Sequence, residues 1–189
     1  VLRALDLSLA GSIAAPSTSF DVIQSLDGEK YYILTRRATP SIVVASATTL
    51  QVLSTIDLQA SVTDAELSPD GRYILAATGN LEVIDTATDQ ALAPIDVGGG
   101  PTKILLNDSA TTAYVLANSG KTLSVIDMQS LSISQTAALP NAQNMALTGN
   151  GSRLIVSFNT GIRQYRTKDL SEISFIATKV PLINSTVYA

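Results

Sequence analysis

Short apolar runs of four to seven residues recur along the whole chain, each closed by a cluster of Gly, Pro, Asn, Asp or Ser. They are rich in Val, Ile, Leu, Tyr and Thr, residues that fit a pleated, half-buried surface. Some alternate apolar with polar, as in Leu-Glu-Val-Ile-Asp at 81–85. Others are apolar on successive positions, as in Tyr-Ile-Leu-Ala-Ala at 73–77. Alternation predicts a strand with one covered face, and an unbroken run predicts a strand buried on both. Leu50, Leu53 and Ile56 share a helical spacing, yet the matching stretch 89–95 contains Pro94 and runs into Gly98, Gly99 and Gly100. A strand is therefore predicted there as well.

The runs keep a period. Ser-Pro-Asp-Gly at 68–71 leads through Arg72 into the run at 73–77. Leu26-Asp27-Gly28 leads through Lys30 into 31–34, Asn107-Asp108 into 113–116, and Asn150-Gly151 through Arg153 into 154–156. The turn residues Asp27, Asp70, Asp108 and Asn150 stand 43, 38 and 42 positions apart. A second motif stays in phase: Leu-Glu-Val-Ile-Asp at 81–85 matches Leu-Ser-Val-Ile-Asp at 123–127, with weaker copies at 42–46 and 162–166. A third pairs 52–58 with 91–97. Two signals in phase over four copies define a repeat of roughly 41 residues. Ser68 to Gly71 suits a type I turn, with Pro at its second position and Gly at its fourth. Asp85 and Asp127 end strands and are placed to cap amides two residues on.

Four strands per repeat predict an all-β chain of β-propeller blades: four-stranded antiparallel sheets about an axis, with helix nearly absent. The expected spans are an outer strand of an incomplete blade plus linker at 1–16, blades at 17–59, 60–99, 100–139 and 140–180, and the first strand of an unfinished blade at 181–189. Residues 1–7 match the outermost strand at 52–58, while 182–189 read as an innermost strand. Outer and inner strands are not neighbours, so the two ends are not expected to pair. The chain reads as a single partial β-propeller, about four blades of a ring of about seven.

Val-Gly-Gly-Gly-Pro at 97–101, Asn107-Asp108, Ala-Tyr-Val-Leu-Ala-Asn at 113–118 and the motif at 123–127 together resemble the YVTN-type β-propeller repeat family. Residues 68–127 carry the resemblance best; elsewhere Ser46 and Arg166 replace the Asp, and Thr63 and Gln143 stand where Pro101 does. The resemblance implies a toroidal fold, common in exported or surface-associated bacterial and archaeal proteins. It implies no single activity.

Composition narrows the chemistry. The 189 residues are 46% hydrophobic and 15% charged, enough to bury a core without disulfides. There is no Cys, His or Trp. Thiolate and Ser/Cys–His nucleophiles, imidazole or thiolate zinc sites, haem held by His or Cys, and iron–sulfur clusters are thereby excluded. No bound metal and no cofactor are expected. No run approaches the roughly 18–20 apolar residues of a membrane span, so membrane insertion is not expected. A net charge of −4 without a basic block argues against nucleic acid as a partner. A Cys-free, hydroxyl-rich acidic chain fits export to a periplasm, a cell surface or the medium.

Three motifs have plainer readings than their chemistry. Gly98-Gly-Gly-Pro-Thr-Lys103 lacks the Gly-Lys-Ser/Thr ending of a phosphate loop and reads as an inter-blade turn. Asp85, Asp108 and Asp127 lack calcium-loop spacing and read as turn caps. No carboxylate pair is singled out, so no catalytic residue is assigned. The loops between second and third strands, and those between blades, supply the binding candidates Arg36, Arg37, Asn118, Lys121 and Asn159. The Arg pair suits carboxylates or acidic glycans. The expected function is a non-catalytic propeller module for binding or scaffolding within a larger exported bacterial protein, its ligand a protein or a glycan. The remainder of that protein, or a second copy, would cover the open blade edges. The alternative is a fragment of a propeller enzyme, lactonase-like or quinoprotein-like, with its catalytic residues outside this chain.

Overall fold

Among the described residues, strands pair with their sequence neighbours within each sheet, because turns and short loops reverse the chain after the first, second and third strands. The structure, a computed structural model, describes residues 11–14, 19–36 and 40–177, the Phe20 side chain excepted. The strands expected at 1–7 and 182–189, and the candidate Arg37, lie outside the described residues. The first sheet holds β1 (Ser19–Gln24), β2 (Lys30–Thr35), β3 (Ser41–Ser46) and β4 (Val52–Asp57). The second holds β5 (Asp64–Leu67), β6 (Tyr73–Ala77), β7 (Leu81–Asp85) and β8 (Gln90–Ala91). The third holds β9 (Pro101–Leu106), β10 (Thr112–Ala117), β11 (Thr122–Asp127) and β12 (Ser132–Ala138). The fourth holds β13 (Ala142–Leu147), β14 (Arg153–Phe158), β15 (Gly161–Arg166) and β16 (Glu172–Ala177). All pairs are antiparallel, and no helix occurs among the described residues. The first strands gather: β9 lies against both β5 and β13. This is a β-propeller segment of four blades.

Three apolar seams join consecutive sheets. Tyr32, Leu34, Ile42 and Val44 of the first sheet pack on Ile74, Ala76 and Ile84 of the second. Leu75, Ala77, Leu81 and Val83 pack on Val115, Ala117 and Ile126 of the third. Leu116, Leu123 and Val125 pack on Leu154, Val156 and Phe158 of the fourth. Ile74 and Leu75 thus serve opposite seams, which is why second strands carry unbroken apolar runs. A charged latch also ties the first seam: Asp89 accepts from Tyr32 Oη at 2.9 Å and pairs with Lys30 Nζ at 2.8 Å. Burial, with the Asp89 hydrogen bond added, holds the Tyr32 phenol well above its ordinary pKa.

Third strands depart from the expectation of one covered face. Glu82 and Ser124 are only 4% and 0% exposed, because both seams close over β7 and β11. Their polar atoms are consumed by the chain segment entering the same sheet. Glu82 Oε1 accepts from Gln59 N at 2.9 Å and from Thr78 Oγ1 at 2.8 Å, and Ser124 Oγ donates to the Val97 carbonyl at 3.4 Å. Glu82→Ala should therefore lose about 2–3 kcal/mol, since it strands a buried amide and hydroxyl. Glu82→Gln keeps a carbonyl acceptor and should lose about 1 kcal/mol or less. Urea unfolding midpoints check the ranking; equal losses would show that the acceptor does not matter. The outermost strand read at 91–97 is also interrupted. β8 stops at Ala91, Pro94 has no N–H to donate, and pairing resumes only at the Leu81–Ile95 bridge.

Turn caps follow the repeat. Ser68 O accepts from Gly71 N at 2.7 Å, while Asp70 Oδ1 accepts from Ser68 Oγ and from Arg72 N. Gly71 has φ 73°, a left-handed conformation that Gly adopts freely. Asp85 caps Ala87 and Thr88, and Asp127 caps Gln129 and Ser130. Hydrogen bonds to the charged form, from Ser25 and Glu29 to Asp27, from Ser130 to Asp127 and from Ser171 to Asp169, hold these carboxyls below their ordinary pKa. A folded pKa below the unfolded value stabilises above about pH 3.9, and that contribution is lost as pH falls through the folded value. The thermal midpoint should fall below about pH 4. Asp127→Asn keeps a cap without the titration, so its acid-side decline should be shallower; an unchanged slope in a circular-dichroism pH series would count against capping as the source.

Candidate functional site

The sheets have two unlike ends. At one lie the Asp- and Asn-capped turns between first and second strands. At the other, the loop between β10 and β11 is stitched to the segments entering the third and fourth sheets. Asn118 N donates to Gly100 O at 3.1 Å, Ala142 N to Gly120 O at 3.0 Å, and Leu139 N to Lys121 O at 2.9 Å. The described binding candidates, Arg36, Asn118, Lys121 and Asn159, belong to this second end. Arg36 Nε donates to the Val62 carbonyl at 3.0 Å, tying the first sheet's loop to the approach of β5. Asn118 holds φ 52° against Gly99, and Lys121 is exposed while its backbone supports Leu139. Asn159 accepts from Gln143 Nε2 at 2.5 Å and lines a cavity.

That cavity, of about 250 Å³, opens on the seam between the third and fourth sheets. Leu139, Pro140 and Asn141 form one wall; Phe158, Asn159, Thr160, Arg163 and Tyr165 form the other. Asn141 has φ 68°, a conformation Asn tolerates better than most residues. Arg163 pairs with Glu172 Oε2 through Nη1 at 2.9 Å, and its guanidinium lies over the rings of Phe158 and Phe175, at 5.3 and 4.9 Å from their centroids. Such stacking fixes the plane of the guanidinium. Burial raises the Tyr165 phenol above its ordinary pKa, with the Arg163 charge pulling it down and Glu172 pushing it up. Hydroxyl, amide and guanidinium groups converge on an apolar-walled hollow, the usual make-up of a small-ligand site.

Arg163 was not singled out by sequence, although one signal was there. It occupies the second position of the third-strand motif, where Val43, Glu82 and Ser124 stand in the first, second and third sheets. That position faces the segment entering its own sheet, as the bonds of Glu82 to Gln59 and of Ser124 to Val97 show. A second grouping lies on the inner strands. Asp64 Oδ2 accepts from Ile104 N at 2.8 Å, and its Oδ1 meets Lys103 Nζ at 3.4 Å. Desolvation raises the Glu66 carboxyl, with Asp64 and Asp21 adding to the rise and Lys103 opposing it. Sequence had paired no carboxylates; strand neighbourhood brings these under mutual influence. Among the described residues no group of three or more acidic side chains is placed to hold a metal ion.

No protein-family model matches the sequence, and no curated protein matches it. Solved structures do match in shape. Hydrazine synthase from Kuenenia stuttgartiensis superposes with a TM-score of 0.74 at 16% identity, over 88% of this chain and 56% of that one. The dihydro-heme d1 dehydrogenase NirN, in complex with DHE, gives 0.75 at 19% identity, over 90% of this chain and 40% of that one. The chain thus spans about half the length of these neighbours or less. Both are propeller proteins, and at these identities the likeness is one of fold alone.

Proposed function

We propose that this chain is a non-catalytic β-propeller module, of the YVTN-type repeat kind, that binds a glycan within a larger exported bacterial protein. The seam cavity carries the reading. Its polar groups are amides, hydroxyls and a guanidinium already paired to a carboxylate, all of which hold ligands through hydrogen bonds. The matching motifs at 68–127 support the repeat kind. Exposed Ile176 and Phe175 on β16, and Val22 and Leu53 on the first sheet, support further blades of the same protein, or a second copy, as the covering partner. A glycan array probed with the 189-residue protein tests the function. Saturable binding to a glycan class, lost on Thr160→Trp, is the expected result; equal binding by that variant would remove the cavity from the function.

A propeller enzyme is the second reading, and the inner-strand carboxyls favour it. A raised carboxyl such as Glu66 beside the negative Asp64 is the kind of group a general acid requires. Hydrolysis of an aryl lactone, or dye-linked sugar oxidation, that is lost in Glu66→Gln would establish that reading over the first.

A further inference from the structure

In every sheet the first residue of the second strand faces the last residue of the third. The pairs are Lys30 with Ser46, Tyr73 with Asp85, Thr112 with Asp127 and, in the fourth sheet, Arg153 with Arg166. Like charges directly opposite on neighbouring strands repel. Both arginines are exposed and held by neutral partners: Arg153 Nη1 donates to Gln164 Oε1 and Arg166 Nη1 to Ser171 Oγ, each at 3.2 Å. Neither is ion-paired among the described residues, whereas Lys30, at the same place in the first sheet, meets Asp89 of the second at 2.8 Å. The two arginines open on a groove of about 300 Å³ that Ser152, Thr167, Lys168 and Ile173 complete. Hydrogen bonds fix its walls: Thr167 Oγ1 donates to Gly151 O at 2.9 Å, and Gln135 Nε2 of the third sheet donates to Lys168 O at 3.1 Å. Asp169 is the one carboxylate in these turns, and its Oδ1 is spent capping Ser171. The three cations leave a local excess of two positive charges on a chain whose net charge is −4.

From this arrangement we propose that the turn end of the fourth sheet is a second binding site, one that takes a phosphate dianion on Arg153, Arg166 and Lys168. A phosphate monoester carries about −1.5 to −2 charges at pH 7 and three strong acceptor oxygens. That matches an excess of two positive charges and three cationic side chains. A carboxylate or a sulfate ester brings a single charge and leaves the arginine pair half neutralised. Each guanidinium has five N–H donors, so its Nη1 bond to a neutral partner orients it and leaves donors for a ligand. Guanidinium forks suit phosphate oxygens, and the lysine adds a point charge. The site does not depend on an open sheet face. In the first seam Lys30 and Thr86 still border a groove of about 550 Å³ with the second sheet packed in place. It shares no lining residue with the seam cavity, so it stands apart from the glycan-binding reading.

Calorimetric titration of the 189-residue protein with glucose 6-phosphate, inorganic phosphate, glucose 6-sulfate and sodium acetate tests this. At pH 7.5 the phosphates should bind roughly tenfold tighter than the sulfate ester or acetate, the worth of one more charge-assisted hydrogen bond. Whichever phosphate binds tighter tells an ester from the free ion. The preference for glucose 6-phosphate should fade as pH falls from 7.5 to 5, because the ester takes up its second proton near pH 6. The groups facing the groove are Arg153, Arg166, Lys168 and Asp169, none of a type that titrates near pH 6, and the chain has no His or Cys. Hydrogen bonds from Ser171 hold the Asp169 carboxyl lower still. Arg153→Gln and Arg166→Gln should each weaken phosphate binding about tenfold. Arg166→Asp supplies the carboxylate that the second and third sheets carry at this place, and should abolish binding without lowering the thermal midpoint. Equal affinity for the phosphate and sulfate esters, or an affinity for glucose 6-phosphate that ignores pH, overturns the ligand class. Unchanged affinity in both arginine variants overturns the site. Should those variants fail to fold, Lys168→Gln decides, since that exposed side chain makes no hydrogen bond among the described residues: unchanged affinity there overturns the proposal.

Discussion

Gly120→Ala should destabilise the protein by about 3–4 kcal/mol, lowering the thermal midpoint by roughly 10 °C. Gly120 has φ 75°, which costs an L-residue about 1 kcal/mol or more. The larger part is steric. A Cβ at this position would run into the Ala142 carbonyl oxygen and stand 3.0 Å from its carbon. Backbone cannot swing aside as a side chain does, and the contact is held by the Ala142 N to Gly120 O bond. Relief requires the loop between β10 and β11 to move away from the start of β13, which loosens the third seam. Gly149→Ala is the control. Nothing lies within 4 Å of its Cβ and its φ is not positive, so a change within about 0.5 kcal/mol is expected. Similar losses for both substitutions would show that glycine flexibility, not the close approach, sets the effect.

The same substitution should reach the ligand. Leu139 to Asn141 form a wall of the cavity and enter the fourth sheet through Ala142. A seam displaced at Gly120 therefore displaces that wall.

Much of this architecture could be read from the chain because it is local and repeated. Turn caps such as Asp70 act on amides within a few residues, so their spacing alone marked where strands begin. Asn159 was legible for a related reason: its place between a second and a third strand puts it at the loop end whatever the packing. Arg163 was not. A charged residue inside an alternating strand reads as solvent-facing, and its surroundings depend on Leu139 to Asn141, which arrive from the preceding sheet. Glu82 misled in the same direction, since the approach of Gln59, with the nearby Thr78 hydroxyl, supplies the donors for a buried carboxylate there. What the pattern missed, in both cases, is the segment entering the sheet. Arg36 shows the converse. It stood out as half of a charged pair, yet its Nε bonds the Val62 carbonyl and helps join two sheets.

Ile74→Ala and Leu75→Ala should each cost about 2–5 kcal/mol, the usual range for emptying a fully buried aliphatic site. The two residues are adjacent on β6, equally buried, and serve different seams: Ile74 the one with the first sheet, Leu75 the one with the third. In a stack where each sheet touches only its neighbours, a loosened seam releases the sheets on its two sides before the more distant ones. Native-state hydrogen exchange should resolve this. Ile74→Ala should speed exchange in β2 and β3 while β14 and β15 keep their protection. Leu75→Ala should instead speed β10 and β11 and spare β2 and β3. If both variants raised exchange uniformly across the four sheets, the protein would unfold as one cooperative block, and the seams would not be separable units of stability.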